Sequence, residues 1–272
     1  MKIVCTGRGA ALSNIPKIRD KVFELAKTKT PTILYLGTPS YDNESIFNIQ
    51  TEGFRDAGCN IIRLDLSEVP NGKSPKIYPS YDEIEAQMSV ADVIQVSGGN
   101  TLYAIHRWQE LGIDLLLKEL ASREMNAPVF CGGSAGAICW FAEGVSDSLN
   151  PETLLNPDPN LTEEEKKNWD YIRIPGLDLL KGICVPHYDI IQHNGLFRAT
   201  ASERFVKELP NIVSVGIDED AALVVNGDIV TVVEGTTGKR CYRKVFDAET
   251  NTLDVMTLEE GKMYNLHSLG LI

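Results

Sequence analysis

The run GGSAG, residues 132–136, sets one serine among glycines directly after the apolar run APVFC. In the pattern G-x-S-x-G, Ser134 reads as the nucleophile of an acyl-transfer reaction. The pattern marks a sharp strand-to-helix turn whose small neighbours leave room for a strained serine. Backbone N–H groups at the head of the following helix, with the positive end of its dipole, would then face a developing oxyanion. The plainer alternative is a tight turn in which Ser134 only caps a helix.

A nucleophilic serine needs a base, and the base needs an orienting acid. Four histidines are available. His106 falls in a helical pattern, His193 in a loop and His267 in the C-terminal tail. His187 ends the apolar run GICVPH and would project from a strand end, where Ser134 also lies. Two acids are placed to orient it: Asp189 in PHYD and Glu219 in GIDED. The run SGGNT, residues 97–101, is a second glycine turn. It would set the Gly99 N–H beside the Ala135 N–H as a pair of oxyanion donors, although a phosphate cradle or a plain turn would use the same residues. TGRGAALSN lacks the third glycine of G-x-G-x-x-G and is a weak nucleotide loop.

These residues need a scaffold that gathers strand ends. KIVCTG, TILYLGTP, NIIRLDL, ADVIQVSGG, APVFCGG, GICVPH and IVSVGID read as strands, most of them apolar throughout and so buried on both faces. SNIPKIRDKVFELAKTK, DNESIFNIQTEGFRDAG and NTLYAIHRWQELGIDLLLKELASRE read as helices between them. The alternation predicts an α/β fold, a doubly wound, mostly parallel sheet flanked by helices. Ligands of such sheets gather at the carboxyl ends of the strands. Residues 146–181, rich in Pro, Asn and Glu, read as an excursion beside the site and a candidate lid. From 221 to 272, strand runs around an Asn-Gly turn predict a β-hairpin-rich extension. With no repeat or clear linker, one domain over 1–272 is the simplest organisation.

The bulk properties exclude several classes. A formal charge of −12 without a Lys/Arg cluster argues against nucleic acid and anionic membranes. No apolar run approaches the roughly 18 residues of a membrane span. MKIVCTGRGAALSN is too short in apolar residues for a signal peptide. Six cysteines without a CxxC pair suit buried free thiols in a reducing cytoplasm, and no zinc site is expected.

Taken in order, SGGNT, GGSAGAICW, PHYD and GIDEDAAL resemble the dipeptidase E and cyanophycinase family of serine peptidases over most of residues 1–225. The resemblance implies a sheet of the class I glutamine-amidotransferase type and a triad in the chain order Ser, His, Glu. The α/β-hydrolases instead run Ser, acid, His. Carried over, it implies Ser134 as nucleophile, His187 as base, Glu219 as orienting acid, and Gly99 and Ala135 as oxyanion-hole residues. Asp147 in SDS matches an acid that the family keeps shortly after the elbow helix. The family cleaves after aspartyl residues, which calls for a cation to read the substrate carboxylate, and Arg198 is the nearest basic residue after His187. The chain departs from the pattern in a longer segment at 149–181 and in basic residues that do not align after the histidine.

The expectation is a cytoplasmic serine peptidase for small acidic peptides of the Asp-X type, as a monomer or homodimer, using no metal or organic cofactor. Asn100, Asp147, Asp189 and Arg198 are its expected substrate-binding residues. Two other classes would use the same turns. An amidotransferase-like or other non-peptidic hydrolase is one, although amidotransferases carry cysteine in place of Ser134. A nucleotide-binding regulatory module is the other.

Overall fold

The computed structural model describes residues 1–70 and 76–272. In chain order the strands are β1 (Lys2–Thr6), β2 (Thr32–Leu36), β3 (Asn60–Leu64), β4 (Val93–Val96), β5 (Val129–Gly133), β6 (Phe141–Ser146) and β7 (Ile172–Pro175). They continue as β8 (Leu180–Val185), β9 (Ser214–Ile217), β10 (Ala221–Asn226), β11 (Ile229–Glu234), β12 (Cys241–Asp247), β13 (Thr252–Leu258) and β14 (Tyr264–Asn265).

Five parallel strands in the order β1-β5-β4-β2-β3 make the centre of the first sheet. The β10–β11 hairpin pairs antiparallel to β1, and β14 closes that edge. The apolar runs are explained by two-sided burial. Ile3, Cys5, Leu34, Leu36, Ile94 and Phe130 join one core, while Val4, Ile33, Val93, Val129 and Cys131 join the other. Successive side chains of one strand point to opposite faces, so each strand carries apolar residues on both.

The strands read as GICVPH and IVSVGID do not continue this sheet. They form the parallel centre of a second sheet, ordered β13-β12-β9-β8-β6-β7. The reason lies just after Ser134. The helix there, Ala135–Ile138, has four residues, all buried. A crossover returning to a parallel sheet needs a dozen or more residues, so the chain enters β6 directly and starts a new sheet. The edges of this sheet, β7, β12 and β13, pair antiparallel. The predicted C-terminal hairpins are therefore shared between two sheets.

The predicted helices are present, two of them broken where backbone chemistry requires it. Pro16 opens a new helix, Pro16–Ala26, after Ala11–Asn14. Gly112, at φ +71°, separates Thr101–Leu111 from Ile113–Ser122. A helix at Tyr81–Ser89, absent from the sequence reading, is announced by a capping box between Ser80 and Glu83. The predicted excursion is shorter than expected at its C-terminal end, because 172–175 form β7. Between β6 and β7, residues 147–171 hold two single 3-10 turns. All six cysteines are free, five of them buried. Among the described residues, no helix is long and apolar enough to cross a membrane.

Candidate active site

Ser134 follows β5 at φ +57°, ψ −122°, a conformation that costs a non-glycine residue about 1–3 kcal/mol. The surroundings over-determine it. A Cβ on Gly132 would lie 2.6 Å from the Gly136 carbonyl carbon. One on Gly133 would collide with Thr6 Oγ1 and the Arg8 carbonyl, and one on Gly136 with the Val96 carbonyl. The Ser134 N–H donates to the carbonyls of Gly7 (3.2 Å) and Thr6 (3.3 Å), which pins the turn to the end of β1. Ala135 is the first helical residue, so its N–H has no partner within the helix.

The Gly98–Gly99 turn after β4 lies against this serine, since a Cβ on Gly98 would come 3.3 Å from Ser134 Cβ. Gly99 has φ +136°, and a side chain there would strike the Pro39 carbonyl carbon at 2.5 Å. Only glycine fits that turn.

His187 and Glu219 arrive from the adjacent ends of β8 and β9. His187 Nδ1 lies 2.9 Å from Glu219 Oε1. The Tyr188 N–H donates to the Ile217 carbonyl at 3.0 Å, locking the two strand ends together. The same β1 turn that holds Ser134 also holds Glu219. The Arg8 N–H donates to the Glu219 carbonyl at 3.1 Å, and a Cβ on Gly7 would sit 2.7 Å from Glu219 Cα. TGRG is thus a brace between the serine turn and the acid turn. Its Arg8 N–H, spent on a protein carbonyl, is withheld from any phosphate.

The four residues expected to touch substrate each hold partners within the protein. Asn100 caps the helix Thr101–Leu111: its Oδ1 accepts from the Tyr103 N–H and its Nδ2 donates to the Ser148 carbonyl, both at 3.0 Å. Asp189 supports the acid turn, accepting from the Glu219 N–H at 2.9 Å with one oxygen and pairing with Lys239 through the other. Arg198 is 1% exposed. It donates to Asp147 Oδ2 at 3.3 Å and to the Val145 carbonyl, and it stacks over the Tyr171 ring. Its guanidinium is thereby withheld from solvent and from direct contact with a substrate carboxylate.

Asp147 accepts as well from Gln192 Nε2 at 3.0 Å. Burial pushes its carboxyl up, but the Arg198 guanidinium and then His187 outweigh it and hold Asp147 below the ordinary carboxylate range. Asp147 borders a cavity of about 240 Å³ lined also by Asn150, Trp169, Ile190, Gln192 and His193. The 147–171 segment forms one wall of this cavity, tied down where Tyr41 Oη donates to the Thr153 carbonyl at 2.7 Å.

Residues missed in the sequence complete the site's support. Lys239, from the loop before β12, carried no local signal because its partner Asp189 lies far away in the chain. Asp218, next to Glu219, is buried and accepts from the Arg240 N–H; burial pushes its carboxyl up to about 6. Among the described residues, no group of three or more His, Cys, Asp or Glu side chains is placed to share a metal ion.

Comparison with known proteins points to peptidases. An uncharacterized peptidase, YgaJ of Bacillus subtilis (strain 168), is 30% identical over 223 residues, covering 82% of this chain and 81% of that protein. A Peptidase E of Shewanella sp. (strain MR-4) is 26% identical over 181 residues, or 65% of this chain and 64% of its own. In fold, the chain is similar to the crystal structure of a peptidase from an acI-B1 Actinobacterium, with a TM-score of 0.60, 17% identity, and coverage of 97% and 96% of the two chains. Residues 3–233 match the profile of Peptidase family S51, and with the elbow serine after β5 this establishes that the chain belongs to that family of serine peptidases.

Proposed function

We propose that Ser134, His187 and Glu219 form the catalytic triad of a peptidase that hydrolyses short acidic peptides of the Asp-X type. Ser134 Oγ attacks the scissile carbonyl while His187 Nε2 takes its proton. The oxyanion is met by the N–H groups of Gly99 and Ala135. His187 then protonates the leaving amine, and water repeats the sequence on the acyl-enzyme. Glu219 accepts the Nδ1–H of His187, which leaves Nε2 free to act as base and stabilises the imidazolium.

The observation that carries this reading is the convergence of a strained Ser134 with the 2.9 Å His187–Glu219 contact through one shared turn, Thr6–Arg8. The acidic preference is supported by the motif set and by relatives named Peptidase E. Arg198 would serve it indirectly, by neutralising Asp147. The segment 147–171 beside the cavity favours short peptides over long ones. Six unpaired thiols fit the reducing cytoplasm.

Two measurements test the proposal. Fluorophosphonate should label the wild-type chain at Ser134, and Ser134→Ala should lose about 10⁴- to 10⁶-fold in hydrolysis. Asp-Leu should be cleaved faster than Ala-Leu. Equal rates would remove the acidic preference, and a Ser134→Ala protein with near-normal activity would remove the nucleophile.

A further inference from the structure

One buried side chain ties together two of the turns that surround Ser134. Gln50 lies in the helix Glu44–Asp56 and is 9% exposed. Its Oε1 accepts the Gly98 N–H at 3.1 Å and the Tyr35 hydroxyl at 3.4 Å. Its backbone carbonyl accepts from Gln95 Nε2 at 2.9 Å, which fastens the helix to β4. Its Nε2 lies where a Cβ on Gly9 would come within 2.5 Å and one on Gly98 within 3.3 Å. The carboxamide is clamped between the turn after β1 and the turn after β4.

That clamp bears on the oxyanion donor. The peptide joining Gly98 to Gly99 carries the Gly99 N–H, and glycine backbones have several conformations of similar energy. On one side the turn is held by the Asn100 N–H, which donates to the Pro39 carbonyl at 2.7 Å. On the other side its hold is the Gly98 N–H on Gln50. A donor aimed in advance at the developing charge needs no reorganisation during the reaction, and its alignment sets its worth.

We infer that Gln50 is a positioning residue: it holds the Gly98–Gly99 turn so that the Gly99 N–H meets the oxyanion, and the missing side chain at Gly9 makes room for its carboxamide. The inference rests on the Ser134 nucleophile and Gly99 donor proposed above. Neither Gln50 nor Gly9 touches the reacting atoms. Deleting a whole oxyanion donor costs about 10²- to 10³-fold, so loosening one should cost about 10- to 100-fold.

The test uses a fluorophosphonate probe on the full chain. Ser134 Oγ forms the bond to phosphorus, fluoride leaves, His187 takes the proton, and the phosphoryl oxygen occupies the oxyanion position. The maximal inactivation rate and the half-saturating concentration are read separately, with Tm as a control. Gln50→Met keeps the length but removes the acceptor. Its maximal rate should fall about 10- to 100-fold while the half-saturating concentration stays within about twofold. Gln50→Glu keeps an oxygen opposite the Gly98 N–H and should recover part of the rate, its added charge opposing the oxyanion.

Gly9→Ala presses a methyl on the far end of the Gln50 side chain, which can give way, so it should lower the rate with little change in Tm. It therefore carries the test even if Gln50→Met is unstable. In the Gln50→Met background the same methyl should add little, because the link to Gly98 is already gone. Wild-type rates in Gln50→Met, or effects of the two changes that add in full, would overturn the inference and leave Ser134 standing. A wild-type protein that does not label at Ser134 would overturn both.

Discussion

Replacing Glu219 by Gln tests the reading where it makes a numerical demand. His187 Nδ1 and Glu219 Oε1 are 2.9 Å apart. When His187 takes the serine proton, an imidazolium forms beside that carboxylate, with charge centres about 4 Å apart. At an effective dielectric near 20 the attraction is about 4 kcal/mol, or roughly three decades in rate at about 1.4 kcal/mol per decade. Glutamine removes the charge. It also offers an N–H to Nδ1, which favours the tautomer with its proton on Nε2, the wrong one for a base. The two effects together predict a kcat lower by about 10³- to 10⁴-fold with KM little changed. Asp189→Asn provides the contrast. Asparagine can still accept the Glu219 N–H and loses only the charge opposite Lys239, so its kcat should fall less than about a hundredfold. Steady-state kinetics with Asp-Leu on both variants, checked by near-ultraviolet circular dichroism, decides the matter. A Glu219→Gln enzyme within tenfold of wild type beside an inactive Asp189→Asn enzyme would refute the assignment.

Three further outcomes are expected. Ser134→Gly should abolish activity yet raise stability by about 1 kcal/mol, because glycine relieves the strain at φ +57° at some cost in unfolded-state entropy; a lower Tm would contradict that strain. Arg198→Ala should destabilise the fold by about 2–4 kcal/mol by removing a buried side chain packed on Tyr171 and leaving the half-buried Asp147 only its Gln192 bond, and an unchanged denaturation midpoint would show the guanidinium to be dispensable. Asp218 holds its proton more tightly when folded, with its pKa near 6 against about 3.9 unfolded. Its favourable contribution is therefore complete below about pH 4 and lost as pH rises through 6, a change of roughly 3 kcal/mol. Asp218→Asn should remove that slope from a comparison of Tm between pH 4 and 7, and an unaltered slope would refute it.

The sequence by itself determined the elements and the chemistry available at their ends. Runs such as TILYL and VIQV carry apolar residues on both faces, which two-sided burial in a parallel sheet explains. Glycine spacing marked the Ser134 and Gly99 turns, because a missing Cβ is a local property that any close approach of backbones requires. His187 was the best placed of four histidines, and its pairing with Glu219 was implied by the resemblance to a known family. What the tertiary structure alone decided is how distant segments share their charges and hydrogen bonds. The division into two sheets follows from the length of one helix, Ala135–Ile138, which no periodicity announces. Arg198 looked free in the chain, yet folding buries it on Asp147, 51 residues away. Asp189 was the competing acid in the sequence, and in the fold its oxygens are taken up by Lys239 and the Glu219 N–H. TGRG and Gln50 carried no motif for this chemistry, since a brace is defined by what it touches. Hydrophobic period and turn chemistry are written residue by residue, whereas the partner of a polar group is chosen only when the strand ends meet.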